Sequence, residues 1–202
     1  MKKPIGIVAT LLVMGAGQSL AGVGWLAGGS AGQAKLLDFR LDTDELDDTD
    51  VTWMAVGGYQ FHPFYALVGG YLDLGDFHAE GPSFGGYERD ISVNGFYVRN
   101  LGIIPVFSQV SFLGSLGVFR WDYEFNDLDI PSGSTRHLTD TGYSLTYGLG
   151  INVDLAGSSA HFRGLNLHAG WERLDTVGDR ETVEHENDYD VFLLGLTYNF
   201  TQ

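Results

Sequence analysis

Histidines at 78, 137, 161, 168 and 185, with serines scattered between them, are the side chains of this 202-residue chain whose types suit nucleophilic or acid–base chemistry. A serine hydrolase needs a serine, a histidine and an acid gathered around one reacting atom. Ser134 and His137 are neighbours, but in a stretch of loop composition. The chain reads as having no Gly-x-Ser-x-Gly elbow. The expectation is a chain with no catalytic residues, no cofactor and no resident metal.

Carboxylates are the second chemistry-bearing set. Asp38, Asp42, Asp44, Glu45, Asp47, Asp48 and Asp50 oppose only Arg40, and Asp175, Asp179, Glu181, Glu184, Glu186, Asp188 and Asp190 oppose only Arg180, a local charge of −6 in each run. Such oxygen-rich runs suit Ca²⁺ or Mg²⁺. Asp42-Thr-Asp44-Glu-Leu-Asp47 lacks the glycine that an EF-hand turn requires, so the expected role is solvated surface. Divalent cations bridging these runs to anionic lipid phosphates is the alternative.

The elements that must position these groups begin with a leader. Lys2 and Lys3 precede the apolar run Ile5 to Met14, and Ser19-Leu20-Ala21 offers small residues for cleavage, so residues 1–21 read as a secretory signal peptide and residues 22–202 as one mature domain. Without Lys2 and Lys3, nine basic residues face 26 acidic ones, a net charge near −17 that repels nucleic acid. There are no cysteines, so stability rests on hydrogen-bonded architecture rather than cross-links. No apolar stretch approaches the roughly 20 residues of a membrane helix. The 29 glycines follow no fixed period, which excludes a collagen-like chain.

Period-two alternation gives eight strands, at about 24–37, 51–61, 65–75, 87–99, 106–125, 141–155, 164–174 and 189–200. In the sixth, Tyr143, Leu145, Tyr147, Leu149, Ile151 and Val153 share one face, with Ser144, Thr146, Gly148, Gly150, Asn152 and Asp154 opposite. The last strand repeats the pattern, with Phe192, Leu194, Leu196, Tyr198 and Phe200 outward. In the fifth, Val110 and Phe112 fall on the opposite parity from Phe119, Trp121 and Tyr123, which predicts a bulge between them. Connections at 62–64, 100–105 and 156–163 are short or nearly uncharged, whereas 38–50, 76–86, 126–140 and 175–188 are longer and mostly acidic. Trp25, Tyr59, Phe61, Tyr198 and Phe200 fall near the short turns, and Trp53, Trp121 and Trp171 near the long connections. This is the pattern of an all-β, eight-stranded antiparallel up-and-down transmembrane β-barrel with two aromatic girdles. Bulky residues outward and small polar ones inward oppose the alternative, a secreted lipocalin-like ligand-binding barrel.

Gly24-Trp25-Leu-Ala-Gly28, Gly57-Gly58-Tyr59-Gln60-Phe61-His62-Pro63-Phe64, Gly70-Tyr71, Asp140-Thr141-Gly142 and Gly195-Leu-Thr-Tyr-Asn-Phe200 resemble, in order and spacing, the eight-stranded transmembrane domain of outer membrane protein A and its relatives. The resemblance implies a cell outer membrane location with both termini periplasmic. Gly195, Tyr198 and Phe200 resemble the signal read by the barrel assembly machinery. The chain ends at Gln202, so it is not expected to inherit the peptidoglycan-binding role of longer relatives. Relatives carry a buried charged cluster in the lumen; the positions aligned with it here, Val68, Asn152 and Asn166, are uncharged. Gln60, Asn152, Asp154, Asn166, His168 and Glu172 are the expected lumen polar residues, forming a hydrogen-bonded plug. The functional expectation is a non-catalytic structural or surface-interaction scaffold. Its expected partners are outer-membrane lipids and lipopolysaccharide and an extracellular ligand or host surface. A narrow ion channel is the alternative, with an outer-membrane lipid-modifying enzyme behind it.

Overall fold

Alternation along almost the whole chain produces strands along almost the whole chain. The computed structural model describes residues 23–37, 45–80, 87–129, 134–157, 162–178 and 187–200. Residues 1–22, 38–44, 81–86, 130–133, 158–161, 179–186 and 201–202 lie outside these. The strands are β1 (Gly24–Leu37), β2 (Glu45–Asp47), β3 (Thr49–His62), β4 (Tyr65–Glu80), β5 (Tyr87–Pro105), β6 (Val110–Asp129), β7 (Ser134–Asp154), β8 (Leu165–Val177) and β9 (Asn187–Asn199). The three-residue β2 pairs only with the far end of β4. The other eight run antiparallel in chain order, and β9 returns to β1 from Leu26↔Asn199 to Leu37↔Asp188, which closes the barrel.

Faces follow the expected parity on most strands. Val51, Trp53, Leu149, Phe192, Leu194 and Phe200 are exposed on the outside, and Thr52, Ser144, Thr146, Glu172 and Asn199 are buried inside. Trp25, Tyr59 and Phe61 make edge-on ring contacts at 5.2 and 4.9 Å, as do Tyr198 and Phe200 at 5.0 Å, forming the girdle at the short-turn end. At the other margin of the apolar band, Trp53–Tyr71 and Tyr71–Phe96 stack at 5.5 and 5.4 Å.

The expected bulge in the fifth strand is absent. β6 keeps unbroken register with β5 from Tyr87↔Asp129 to Pro105↔Ser111 and with β7 from Val110↔Val153 to Asp129↔Ser134. The parity conflict has another cause: the strand changes solvent. Phe112, Leu116 and Val118 face outward, and further along the same outward face carries Arg120, Asp122 and Glu124 while Phe119, Trp121, Tyr123 and Phe125 are buried inside. Trp121, expected in the girdle, is therefore a lumen residue only 3% exposed. Gly142 sits opposite it because a Cβ there would lie 2.3 Å from the indole ring. Bulges occur elsewhere, between Gln60 and His62, Asp73 and Asp76, and Leu174 and Val177.

The same change of solvent lengthens the strands beyond expectation. β4 reaches Glu80 and β7 starts at Ser134, inside segments expected as loops. Here Leu74, Phe77, Ile91 and Val93 are buried inside, the reverse of the alternation that marks a lipid-facing strand. β5 likewise runs to Pro105, and the turn expected at 100–105 occupies 106–109, closed by Val106 N–H and Phe107 N–H donating to Val110 O at 2.9 and 3.1 Å.

The wall is uneven in height. β6 pairs with β7 as far as Ser134, but β7 meets β8 only from Leu145↔Asp175 downward. β8 departs where Thr176 takes φ +63°, a value that is an outlier for a β-branched residue. Thr176 is held there by its N–H to Asp188 Oδ1 at 2.9 Å and by Ser144 Oγ donating to its carbonyl at 2.6 Å. β4 to β7 thus form a raised wall on one side.

In single-tryptophan variants reconstituted with brominated phospholipid, Trp25, Trp53 and Trp171 emission should be quenched and Trp121 emission left unchanged. Equal quenching of Trp121 and Trp171 would put Trp121 on the lipid side and restore the bulge.

Candidate functional site in the lumen

Eight strands enclose a space that side chains nearly fill, so the inward residues are the site. They form three layers. At the short-turn end a cavity of about 110 Å³ is lined by Gln60, Asn152, Asp154, Asn166, His168, Asn199 and others. Amides satisfy one another along its rim: Asn199 Nδ2 donates to Gln60 Oε1 and Asn152 Nδ2 to Asn166 Oδ1, both at 3.1 Å. Gln60 Nε2 donates to Pro63 O at 3.3 Å and Asn166 Nδ2 to Gly164 O at 3.1 Å. Asp154 Oδ1 accepts from Ala156 N–H at 2.8 Å.

The middle layer corrects the expectation of an uncharged cluster. Arg99, on β5, pairs with Glu172, on β8, and the Glu172 carboxylate also accepts from Thr146 Oγ1. Arg99 further lies 4.7 Å from the centre of the Tyr97 ring and sends Nη2 to Met54 Sδ at 3.4 Å. Val68 is a buried apolar residue, as its type demands. Arg99 was not among the residues expected in the lumen. The signal in the sequence was its parity with Tyr97 and Val93, both buried inside. A second cavity of about 60 Å³ adjoins this layer, lined by Met54, Arg99, Leu101, His168, Glu172 and others.

The third layer, at the long-connection end, is an apolar core. Phe77, Phe119, Tyr123, Tyr189, Leu74 and Ile91 have almost no exposed surface, and the Phe77 and Tyr189 rings pack at 5.4 Å. Burial pushes the Tyr123 and Tyr189 phenols up, so both stay neutral. Side chains worth roughly 1.5–3 kcal/mol each on burial close the lumen here.

The reading that no serine stands in a lipase-like motif needs correcting. Gly28-Gly29-Ser30-Ala31-Gly32 has that spacing, and Ser30 Oγ lies 2.9 Å from His168 Nε2. The geometry is nonetheless not that of a hydrolase. A nucleophile elbow is a turn between strand and helix, whereas Ser30 is central in β1, in ladder register with Met54 on one side and Gly195 on the other. No acid orients His168, whose Nδ1 has no partner. The two flanking glycines answer to packing: a Cβ on Gly28 or Gly32 would lie 2.2 Å from Leu196 O or 1.7 Å from Phe192 O of β9. On the outer surface Ser92 donates to Asp76 while His78 meets Asp90 at 2.7 Å, so that hydroxyl bonds a carboxylate rather than a base. His137 meets Asn126 Oδ1 at 2.6 Å; the Ser134 side chain, His161 and His185 lie outside the described residues.

Of the acidic runs, the described part near β8 and β9 is organised around a cation. Arg173 faces Asp188, Asp190 and Asp175 at 3.0, 3.3 and 3.4 Å. Among the described residues no group of three or more His, Asp and Glu is placed to hold a metal ion. Asp38 to Asp44 lie outside the described residues. Tyr198 and Phe200 face outward at the short-turn end, Gly195 faces inward against Ser30, and Phe200 N–H donates to Trp25 O at 2.8 Å.

The model of a family described as the OmpA-like transmembrane domain matches residues 22–202. None of the curated proteins compared matches the chain. Solved outer-membrane barrels share the fold, three of them as follows. Neisserial surface protein A is 13% identical over 89% of this chain and 99% of its own, with a TM-score of 0.63. Ail, the attachment invasion locus protein of Yersinia pestis, solved in complex with the heparin analogue sucrose octasulfate, is 15% identical over 88% and 99%, with a TM-score of 0.53. OprG of Pseudomonas aeruginosa is 14% identical over 89% and 97%, with a TM-score of 0.52.

Replacing Glu172 by Gln leaves the Arg99 charge buried without its partner and should cost about 3–5 kcal/mol, read as a lower urea midpoint of the barrel in lipid vesicles. The double replacement Arg99→Met with Glu172→Gln should recover part of that loss. Equal losses in the single and double variants would show that the charge pairing is not what matters.

Proposed function

The chain belongs to the OmpA-like transmembrane domain family, and on that premise we propose that this outer-membrane β-barrel is a non-catalytic scaffold whose raised wall and acidic connections meet partners at the cell surface. The reversal of polarity along β4 to β7 supports this reading most strongly. Beyond the apolar band the wall turns polar outside and apolar inside, which is how a strand continues from lipid into water. Scaffolds of this kind carry their specificity in the segments they hold up.

In this reading residues 1–21 are removed near Ala21, both termini and the short turns face the periplasm, and the long connections face outward among lipopolysaccharide. Ail is solved with a polyanion bound. Here runs of −6 charge at 38–50 and 175–190 would repel such a ligand, and the partner they suit is cationic. Attraction of this kind is confined to about 8 Å at physiological ionic strength. With the barrel in nanodiscs of zwitterionic lipid, poly-L-lysine should bind with an affinity that falls steeply with salt. Changing the seven acids of 38–50 to their amides should weaken it at least tenfold. Binding indifferent to both would sink the acidic-surface reading.

A narrow channel is the second reading, favoured by the cavity of about 110 Å³ and the amides that line one side of it. The apolar layer above it opposes continuous flow, so purified protein in planar bilayers should give no more than brief, small events. Large, long-lived conductance would promote the channel and demote the scaffold.

Assembly belongs to the same proposal. Tyr198 and Phe200 stand at the short-turn rim, where machinery working from the periplasm would meet them. The double change Tyr198→Ala and Phe200→Ala should lower the amount of heat-shiftable, closed barrel in the outer membrane several-fold. Unchanged folded levels would deny Gly195, Tyr198 and Phe200 a signalling role.

A further inference from the structure

The short-turn half of the lumen has two unlike walls. On one side Leu26, Val56, Ala66, Leu101 and Ile103, from β1, β3, β4 and β5, present hydrocarbon to the cavity. On the other, Ser111, Asn152, Asn166, Thr197 and Asn199, from β6 to β9, present amides and hydroxyls, with Leu113 of β6 the apolar exception there and Gln60 of β3 a polar one on the first side. A cavity meant only for water is polar all round, and one meant to stay dry is apolar all round. The amides are already spent on one another and on backbone carbonyls. Two buried nitrogens at the deep end are not: Arg99 Nε and His168 Nδ1 have no hydrogen-bond partner, and both residues line the main cavity and the smaller one beyond it. The Arg99 and Glu172 side chains are about nine-tenths buried, so this is a built, desolvated end rather than a solvent-washed surface.

We propose that this half of the lumen binds a small uncharged amphiphile, its hydroxyl toward Arg99 and His168 and its hydrocarbon along the wall of Leu26, Val56, Leu101 and Ile103. The chemistry selects the ligand class. Arg99 Nε–H can only donate, so the ligand must accept. His168 donates or accepts at Nδ1 according to its tautomer, which the contact of Nε2 with Ser30 Oγ leaves open, and a hydroxyl meets either form. A carboxylate head is disfavoured because Glu172 already neutralises Arg99 and Asp154 adds a second negative group to the lining. Size follows from volume: at about 10–15 Å³ per water centre, 110 Å³ holds roughly eight water-sized groups, the scale of a six-carbon alcohol. The apolar layer above the ion pair leaves the short-turn mouth as the way in. This site is independent of the surface-scaffold reading and stands or falls separately from it.

The test uses the full barrel in phospholipid nanodiscs with methyl-labelled Leu, Ile and Val, and hexan-1-ol as the probe. Leu101 and Ile103 methyls should shift saturably, while lipid-facing Leu116 and Leu194 respond only to bulk partitioning. Hexanoate should bind at least tenfold more weakly. Two cavity-filling changes, Val56→Phe on the apolar side and Thr197→Phe on the polar side, should each abolish the saturable shifts, scored on whichever variant keeps the heat-shiftable mobility of a closed barrel. Lumen shifts that never saturate, hexanoate binding as well as hexan-1-ol, or a folded filler variant that still binds would each overturn the proposal. If neither filler folds, magnetisation transfer in the unaltered barrel decides: saturable nuclear Overhauser effects from hexan-1-ol to the Leu101 and Ile103 methyls support the proposal, and their absence overturns it.

Discussion

The ladder between β1 and β9 is the constraint on which everything else depends. A strand edge left open in hydrocarbon exposes backbone groups that nothing there can satisfy, at several kcal/mol each. Pairing from Leu26↔Asn199 to Leu37↔Asp188 removes that edge. Closing with only eight long strands fixes a narrow radius, and the radius decides what the inward positions can be. At the seam itself this is severe: Gly28 and Gly32 face β9 so closely that a methyl group would overlap its carbonyls. Those two glycines, with Ser30 between them, make a lipase-like spacing in sequence, and their close approach to β9 accounts for it.

Once closed, the barrel passes through two solvents, and each strand must satisfy both. Within the lipid band the outside is apolar and the inside polar; beyond it the two exchange roles on a single unbroken strand, as on β6 from Phe112 to Phe125. Arg99 and Glu172 sit where the inner surface changes from amides to aromatic rings. A buried ion pair is weak evidence for stability, since desolvation offsets much of its attraction. Its physical consequence is positional: with Thr146 and Tyr97 it ties β5 to β7 and β8 across the lumen, where ladder hydrogen bonds cannot reach.

The sequence announced the strands where one solvent rule held and misled where the rule changed. Leu145, Leu149 and Ile151 alternate cleanly against Thr146, Gly148 and Gly150, and that strand was legible along its lipid-facing length. Phe119 and Trp121 obey the same pleat with the opposite polarity, so their parity looked like a bulge when it was a boundary. The extended ends of β4 and β7 were hidden for the same reason, because outward polar residues, Asp76 and His78 on β4 and Thr135, His137 and Thr139 on β7, resemble loop. Gln60, Asn152, Asp154, Asn166, His168 and Glu172 were readable as inward polar groups from parity alone. Arg99 shares its parity with Val93 and Tyr97, but an arginine next to Asn100 at the expected end of a strand suggests a turn, and the strand instead continues through Leu101 and Ile103.

The layering of the lumen separates the molecule into compartments. The apolar layer of Phe77, Phe119, Tyr123 and Tyr189 stands between the cavity at the short-turn end and the acidic connections. Charge is divided in the same way: Arg99 answers Glu172 inside, and Arg173, next to Glu172 on β8 but on the opposite face, answers Asp175, Asp188 and Asp190 outside. On the two readings proposed, surface recognition and lumen occupancy place separate demands on the sequence. Substitutions in the connections can retune the first without disturbing the closed ladder that both require.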